Sequence, residues 1–151
     1  VSTAPDGSVW LANLGSSKPW LVRFKPGSTD PLIFKDLLSG GSNEFTDINL
    51  RTIHIAFSTK GGVSGKSNVM YVLTSSLLDP HGTEAVIVQE FDKSWNQPIT
   101  KGGEVNYQKI VLPSTNSAAH RLAVAENIRP RSILVTGLLT NVVYQITGRS
   151  I

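Results

Sequence analysis

The sequence predicts an all-β chain: a partial β-propeller of about three four-stranded antiparallel blades, completed by another copy or another chain. Three observations carry this. Charged residues make up only 17% of the 151, while Gly (13) and Pro (8) are plentiful, a balance that suits many short strands joined by turns. Apolar, β-branched and aromatic-rich runs start at residues 8, 68 and 132, about 60 residues apart and slightly beyond the longest blade period in common repeats. Each run is also flanked by further short strands in the same order. The length suits one domain.

The first unit spans about residues 1–38. It reads Val1-Ser-Thr-Ala4, a Pro5-Asp6-Gly7 turn, Ser8-Val-Trp-Leu-Ala-Asn-Leu14, Trp20-Leu-Val-Arg-Phe24 and Pro31-Leu-Ile-Phe-Lys-Asp-Leu37. The second spans about 51–112, with Thr52-Ile-His-Ile-Ala-Phe57, Asn68-Val-Met-Tyr-Val-Leu-Thr74, Ala85-Val-Ile-Val-Gln-Glu-Phe91 and Val105-Asn-Tyr-Gln-Lys-Ile-Val111. The third spans about 119–151, with His120-Arg-Leu-Ala-Val-Ala125, Ser132-Ile-Leu-Val-Thr-Gly-Leu138 and Asn141-Val-Val-Tyr-Gln-Ile146, and it has no fourth strand. Four consecutive strands form a meander, and a meander repeated radially is a propeller blade. A β-sandwich also has many short strands, but it does not require one pattern three times over.

The segment Thr3-Ala-Pro-Asp-Gly-Ser-Val-Trp-Leu-Ala-Asn13, followed by Leu21-Val-Arg-Phe-Lys-Pro-Gly27, resembles a blade of the streptogramin B lyase and gluconolactonase-like propellers. Their blades commonly read Pro-Asp-Gly, a variable residue, a hydrophobic residue and Trp, then a hydrophobic residue, a variable residue, Arg-Phe, a variable residue and Pro. In Pro5-Asp6-Gly7, Pro presets φ and Gly permits a positive φ, so the chain reverses between the first two strands. The resemblance is good in the first unit and loose in the other two. It implies architecture, because such propellers host unrelated activities.

Closed propellers have about four to eight blades, so three leave two apolar end faces to be covered. A second copy, making six blades, or a different chain is therefore expected. The sequence starts at Val, read as a processed, cut or incompletely traced end, and this weakly favours an extracellular or secreted location.

The net charge of +3 comes from scattered basic residues, so no nucleic-acid partner is expected. No apolar run approaches the ~20 residues of a membrane helix, and no membrane partner is expected. The absence of cysteine excludes a disulfide scaffold, a thiolate nucleophile and a thiolate metal site. Gly61-Gly-Val-Ser-Gly-Lys-Ser67 looks like a phosphate-binding loop but has Lys60 where the motif needs Gly. A strand also follows where the motif needs a helix, so a hairpin loop is expected.

His54 and His120 lie at the start of first, innermost strands, which line a propeller's channel. Aligning Ile55-Ala-Phe57 with Leu122-Ala-Val124 puts His54 opposite Arg121. Alternation then sends His54 and Arg121 to one side and His120 to the other, so no histidine ring and no metal site is expected. The loops approaching the channel mouth bring Asn43, Glu44, Asp47, Asp79, His81 and Asn116 to the same face as candidate ligand-binding residues. Glu44 and Asp47 have the hard oxygens that calcium or magnesium takes, but no calcium-loop spacing surrounds them, and no cofactor is expected. Trp10 and Phe24 are expected to pack between blades. Trp95, in an outer loop, is expected to pack an interface or its own surroundings, or to stack on a sugar.

These features point to a recognition module binding a small molecule, glycan or protein at the channel mouth. The resemblance implies an alternative, a lyase or lactone hydrolase with His54 or His120 as base and Arg121 stabilising an oxyanion. In that family a carboxylate at the end of the neighbouring second strand assists the histidine. Here the second strands end in Asn13, Thr74-Ser75 and Thr136-Gly137, which counts against catalysis. A third reading is an assembly subunit whose open edges pair with other chains.

Overall fold

A computed structural model describes residues 1–13, 20–34, 50–61, 67–76, 84–97, 99–101, 104–105, 107–113, 119–125, 132–137 and 143–147. Their regular structure is entirely strand. The elements are β1 (Ser2–Thr3), β2 (Val9–Asn13), β3 (Trp20–Phe24), β4 (Pro31–Phe34), β5 (Leu50–Gly61), β6 (Ser67–Ser76), β7 (Ala85–Phe91), β8 (Thr100–Lys101), β9 (Glu104–Val105), β10 (Tyr107–Val111), β11 (Ala119–Ala125), β12 (Ser132–Gly137) and β13 (Val143–Thr147). They form three antiparallel sheets: β1-β2-β3-β4 (sheet one), β5-β6-β7-β10 (sheet two) and β11-β12-β13 (sheet three). The hairpin β8-β9 stands apart, and Val105 belongs to it rather than to the fourth strand of sheet two. No closed ring forms among the described residues.

The first reversal follows from its residues. Gly7 has φ +82°, its N–H donates to Ala4 O at 2.9 Å, and Ala4 N–H donates to Ser8 O at 2.8 Å. Pro at the second turn position and Gly in the left-handed region make this a tight hairpin turn. Gly61 pairs with Ser67, so strands flank the glycine-rich segment on both sides, as in a hairpin. Residues 62–66 lie outside the described residues.

Sheet two explains why β6 reads as unbroken apolar sequence. Residues Val69 to Leu73 are all 1% exposed or less, because the two faces of the strand are covered by different sheets. Met70 and Val72 join Ile55, Ile87 and Phe91 in a layer with Ala4 and Trp10 of sheet one. Val69, Tyr71 and Leu73 join Val86, Val88 and Leu112 in a second layer with Leu122, Ile133 and Val135 of sheet three. A strand buried on both faces loses the apolar–polar alternation of a half-exposed one.

The first layer is aromatic. Trp10 meets Phe91 edge-on at 5.5 Å and Trp95 at 6.2 Å, and Phe57 meets Trp95 at 5.3 Å. These are the offset geometries that ring quadrupoles favour. Trp95 is therefore a buried packing residue, 1% exposed, although it lies in the turn after β7. It is also the one non-glycine at positive φ (59°) among the described residues. The turn is fixed by Asp92: Trp95 N–H donates to its carbonyl, Asn96 N–H to its Oδ1 at 2.8 Å, and its own N–H donates to Gln97 O. Burying the indole offsets a backbone cost of roughly 1–3 kcal/mol.

Arg23, opposite Trp10 on β3, sits at the rim of this layer with its side chain 3% exposed. Its Nη2 donates to Asp6 Oδ2 at 2.6 Å and to Ser94 O at 3.1 Å, and its Nη1 to Asn96 Oδ1 at 2.9 Å. The guanidinium lies 5.9 Å from the Trp10 ring centroid. On the other side of Asp6, the Ser8 hydroxyl donates to Oδ1 and accepts from Trp10 Nε1 at 3.1 Å. One polar chain thus ties the β1–β2 turn of sheet one to the turn after β7 in sheet two.

Sheets one and three each have a face that neither packed layer reaches among the described residues. On sheet one the register places Val9 beside Phe24 and Leu11 beside Val22, all four half-buried. Phe24 thus faces away from sheet two and does not pack in the Trp10 layer. On sheet three the corresponding rows are Arg121–Thr136–Val143 and Ala123–Leu134–Gln145, with Val143 58% exposed.

Candidate functional site

The first strands of the three sheets, β1, β5 and β11, each pair on one side only. Their other edges carry peptide groups that the sheets leave unpaired. Ala4 N–H donates toward β2, so alternation turns the peptide groups of Thr3 to the open edge. Ile55 is likewise turned outward, because its carbonyl accepts from the Ser2 hydroxyl at 2.8 Å. Leu122 is too: its N–H donates to His54 Nδ1 at 3.2 Å. These two bonds stitch the inner edges of sheets one, two and three together.

Beside them lies an open groove of about 470 Å³ lined by Val1–Pro5 and His54–Phe57. Its walls combine the apolar Ile55, Ala56 and Phe57 with Ser2, Thr3, His54 and strand-edge peptide groups. It can offer fixed donors and acceptors to a neutral polar molecule over an apolar floor. Among the described residues no charged side chain lines it.

His54 is half-buried. Accepting at Nδ1 requires a lone pair there, so the neutral ring carries its hydrogen on Nε2. Neither nitrogen then has a free lone pair with which to take a substrate's proton. Arg121 is exposed on the face of sheet three turned away from sheet two. Both inner strands bulge just before these residues, between Thr52 and His54 in β5 and between Ala119 and Arg121 in β11. His120 is the bulge residue, so alternation does not fix its direction. Arg121 is not among the residues that line the groove, and the side chain of His120 lies outside the described residues. Asn43, Glu44, Asp47, Asp79, His81 and Asn116 lie outside the described residues. Among the described residues no group of three His, Asp or Glu is placed to hold a metal ion.

Two features escaped the sequence reading. One is Ser2, an unremarkable serine in a two-residue strand; only the close approach of β1 to β5 gives it a role. The other is Glu84, the residue before β7. It is 3% exposed, its backbone carbonyl accepts from Leu112 N–H at 2.9 Å, and its buried Oε1 meets no donor among the described residues. Its position beside an apolar run was the available signal.

The chemistry of Asp6 is structural. Partial burial raises the pKa of its carboxyl, but the hydrogen bonds from the Ser8 hydroxyl and amide and from Arg23, with the charge of Arg23, more than offset this and hold it below its ordinary value. No family model, no curated protein and no solved structure matches this chain.

Proposed function

We propose that the three sheets are blades of a propeller arc and that the chain is a noncatalytic recognition module. It binds a small neutral polar molecule, such as a sugar unit of a glycan, in the groove between β1 and β5. Support for the arc comes from face-to-face sheets whose first strands lie together at one edge. The observation that carries the function is the bond from Leu122 N–H to His54 Nδ1. It makes the histidine a fixed part of the scaffold, with its Nε2–H a donor rather than a base. That counts against the lyase or lactone hydrolase alternative.

The test is a titration of the isotope-labelled chain with a panel of methyl glycosides and short oligosaccharides, with glucono-lactone hydrolysis measured alongside. The reading expects saturable amide shifts confined to residues 2–5 and 54–57 for at least one sugar, and no lactone turnover above buffer. Turnover that His54→Phe abolishes would overturn it, as would a panel that shifts no groove amide.

A further inference from the structure

The inner strands carry a repeated device. Ser2-Thr-Ala4, which begins with β1, His54-Ile-Ala56 in β5 and Arg121-Leu-Ala123 in β11 share one pattern: a polar residue, a residue with outward-turned peptide groups, then alanine. In the first two the polar side chain bonds forward to the next inner strand, Ser2 to the Ile55 carbonyl and His54 to the Leu122 amide. Ile55 and Leu122 are the middle residues of the next triplets. Arg121 is third in the series and, on the exposed forward face of sheet three, meets no next strand among the described residues. Thr3, the middle residue of the first triplet, receives no such bond from a preceding sheet among the described residues.

We propose that a second copy of this chain docks sheet one against sheet three, with Arg121 donating to the Thr3 backbone carbonyl of that copy. This rests on the blade reading above and names the partner. Three observations select a second copy. Twice already the polar residue of one triplet bonds to the middle residue of the next, and the new contact continues that series. Arg121 has donors only, so it needs a carbonyl, and Thr3 turns its carbonyl to the open edge. Both uncovered faces also carry apolar residues: Val9, Leu11, Val22 and Phe24 on sheet one, and Ala123, Leu134 and Val143 on sheet three, surface that a second copy would cover. The contact joins unlike faces, so two copies form it twice and close a ring of six sheets.

The absence of cysteine permits a clean test. Thr3→Cys and Arg121→Cys chains are made separately, mixed and oxidised. A disulfide-linked dimer is expected from the mixture and not from either chain alone. By light scattering the unmodified protein is expected at twice 16.3 kDa. Arg121→Ala is expected to raise the dissociation constant at least about tenfold without lowering the melting temperature of the single chain. Val22→Asp, on the uncovered face of sheet one, is expected to leave single chains with unchanged far-UV circular dichroism. A stable 16.3 kDa species for the unmodified protein overturns the proposal. Doubled mass without the mixed disulfide also overturns it, as do species larger than two chains. Sugar binding in the groove of Val22→Asp single chains would leave the recognition reading standing on its own, so the two failures are separable.

Discussion

The two packed layers on either side of sheet two reach the same end by different chemistry. The layer toward sheet one interlocks four aromatic rings and is pinned at its rim by the Arg23–Asp6 pair. The layer toward sheet three is mostly aliphatic, built from Val69, Leu73, Val86, Leu122, Ile133 and Val135. No ion pair joins sheets two and three among the described residues. Aliphatic packing supplies buried area without strong direction. Ring edges and a forked guanidinium specify one mutual orientation. The aromatic layer also carries the backbone strain at Trp95, which the aliphatic layer does without.

The comparison can be broken first at its largest side chains. Trp10→Ala should destabilise the fold by about 3–5 kcal/mol, and Ile133→Ala by about 2–5 kcal/mol, in chemical denaturation. Because the two residues sit in separate layers, the double variant should lose nearly the sum. Strong non-additivity would mean that the layers are not independent.

The rim comes next. Asp6→Ala leaves the buried Arg23 without its carboxylate and should cost about 2 kcal/mol, toward the low side because the Asp6 side chain is 30% exposed. The sign of the pH effect follows from the lowered carboxyl. Asp6 contributes stability above its unfolded pKa, and the contribution is lost as pH falls through the folded value. Denaturation midpoints of the unmodified protein should therefore converge on those of Asp6→Ala below about pH 4. A gap between the two that stays constant on acidification would show that the ion pair is not the source of the effect.

Much of the fold was legible because strands announce themselves locally. Ala85–Phe91 and Trp20–Phe24 were read at their observed bounds, and the Pro5-Asp6-Gly7 turn through its own chemistry. Strand ends shifted where pairing rather than composition sets them: β5 runs from Leu50 to Gly61 because β6 offers partners beyond the apolar run. The burial of Trp95 was not legible, since a tryptophan among Lys, Ser and Asn reads as a loop residue until the neighbouring sheet is in place. The site was legible in part. His54 was singled out as a candidate by its place near the start of a first strand, but it accepts from a backbone amide 68 residues away, and no side-chain pattern encodes such a contact. Ser2 was missed for the same reason.

The central claim is that β6 touches different sheets through its two faces. The chain has one methionine, so the Met70 methyl gives a single unambiguous resonance. In a nuclear Overhauser experiment on methyl-labelled protein, Met70 should show cross-peaks to Trp10 and Ala4, and the Tyr71 ring to the methyls of Leu122, Ile133 or Val135. A two-layer arrangement, with Met70 or Tyr71 lacking any contact outside sheet two, would contradict the account.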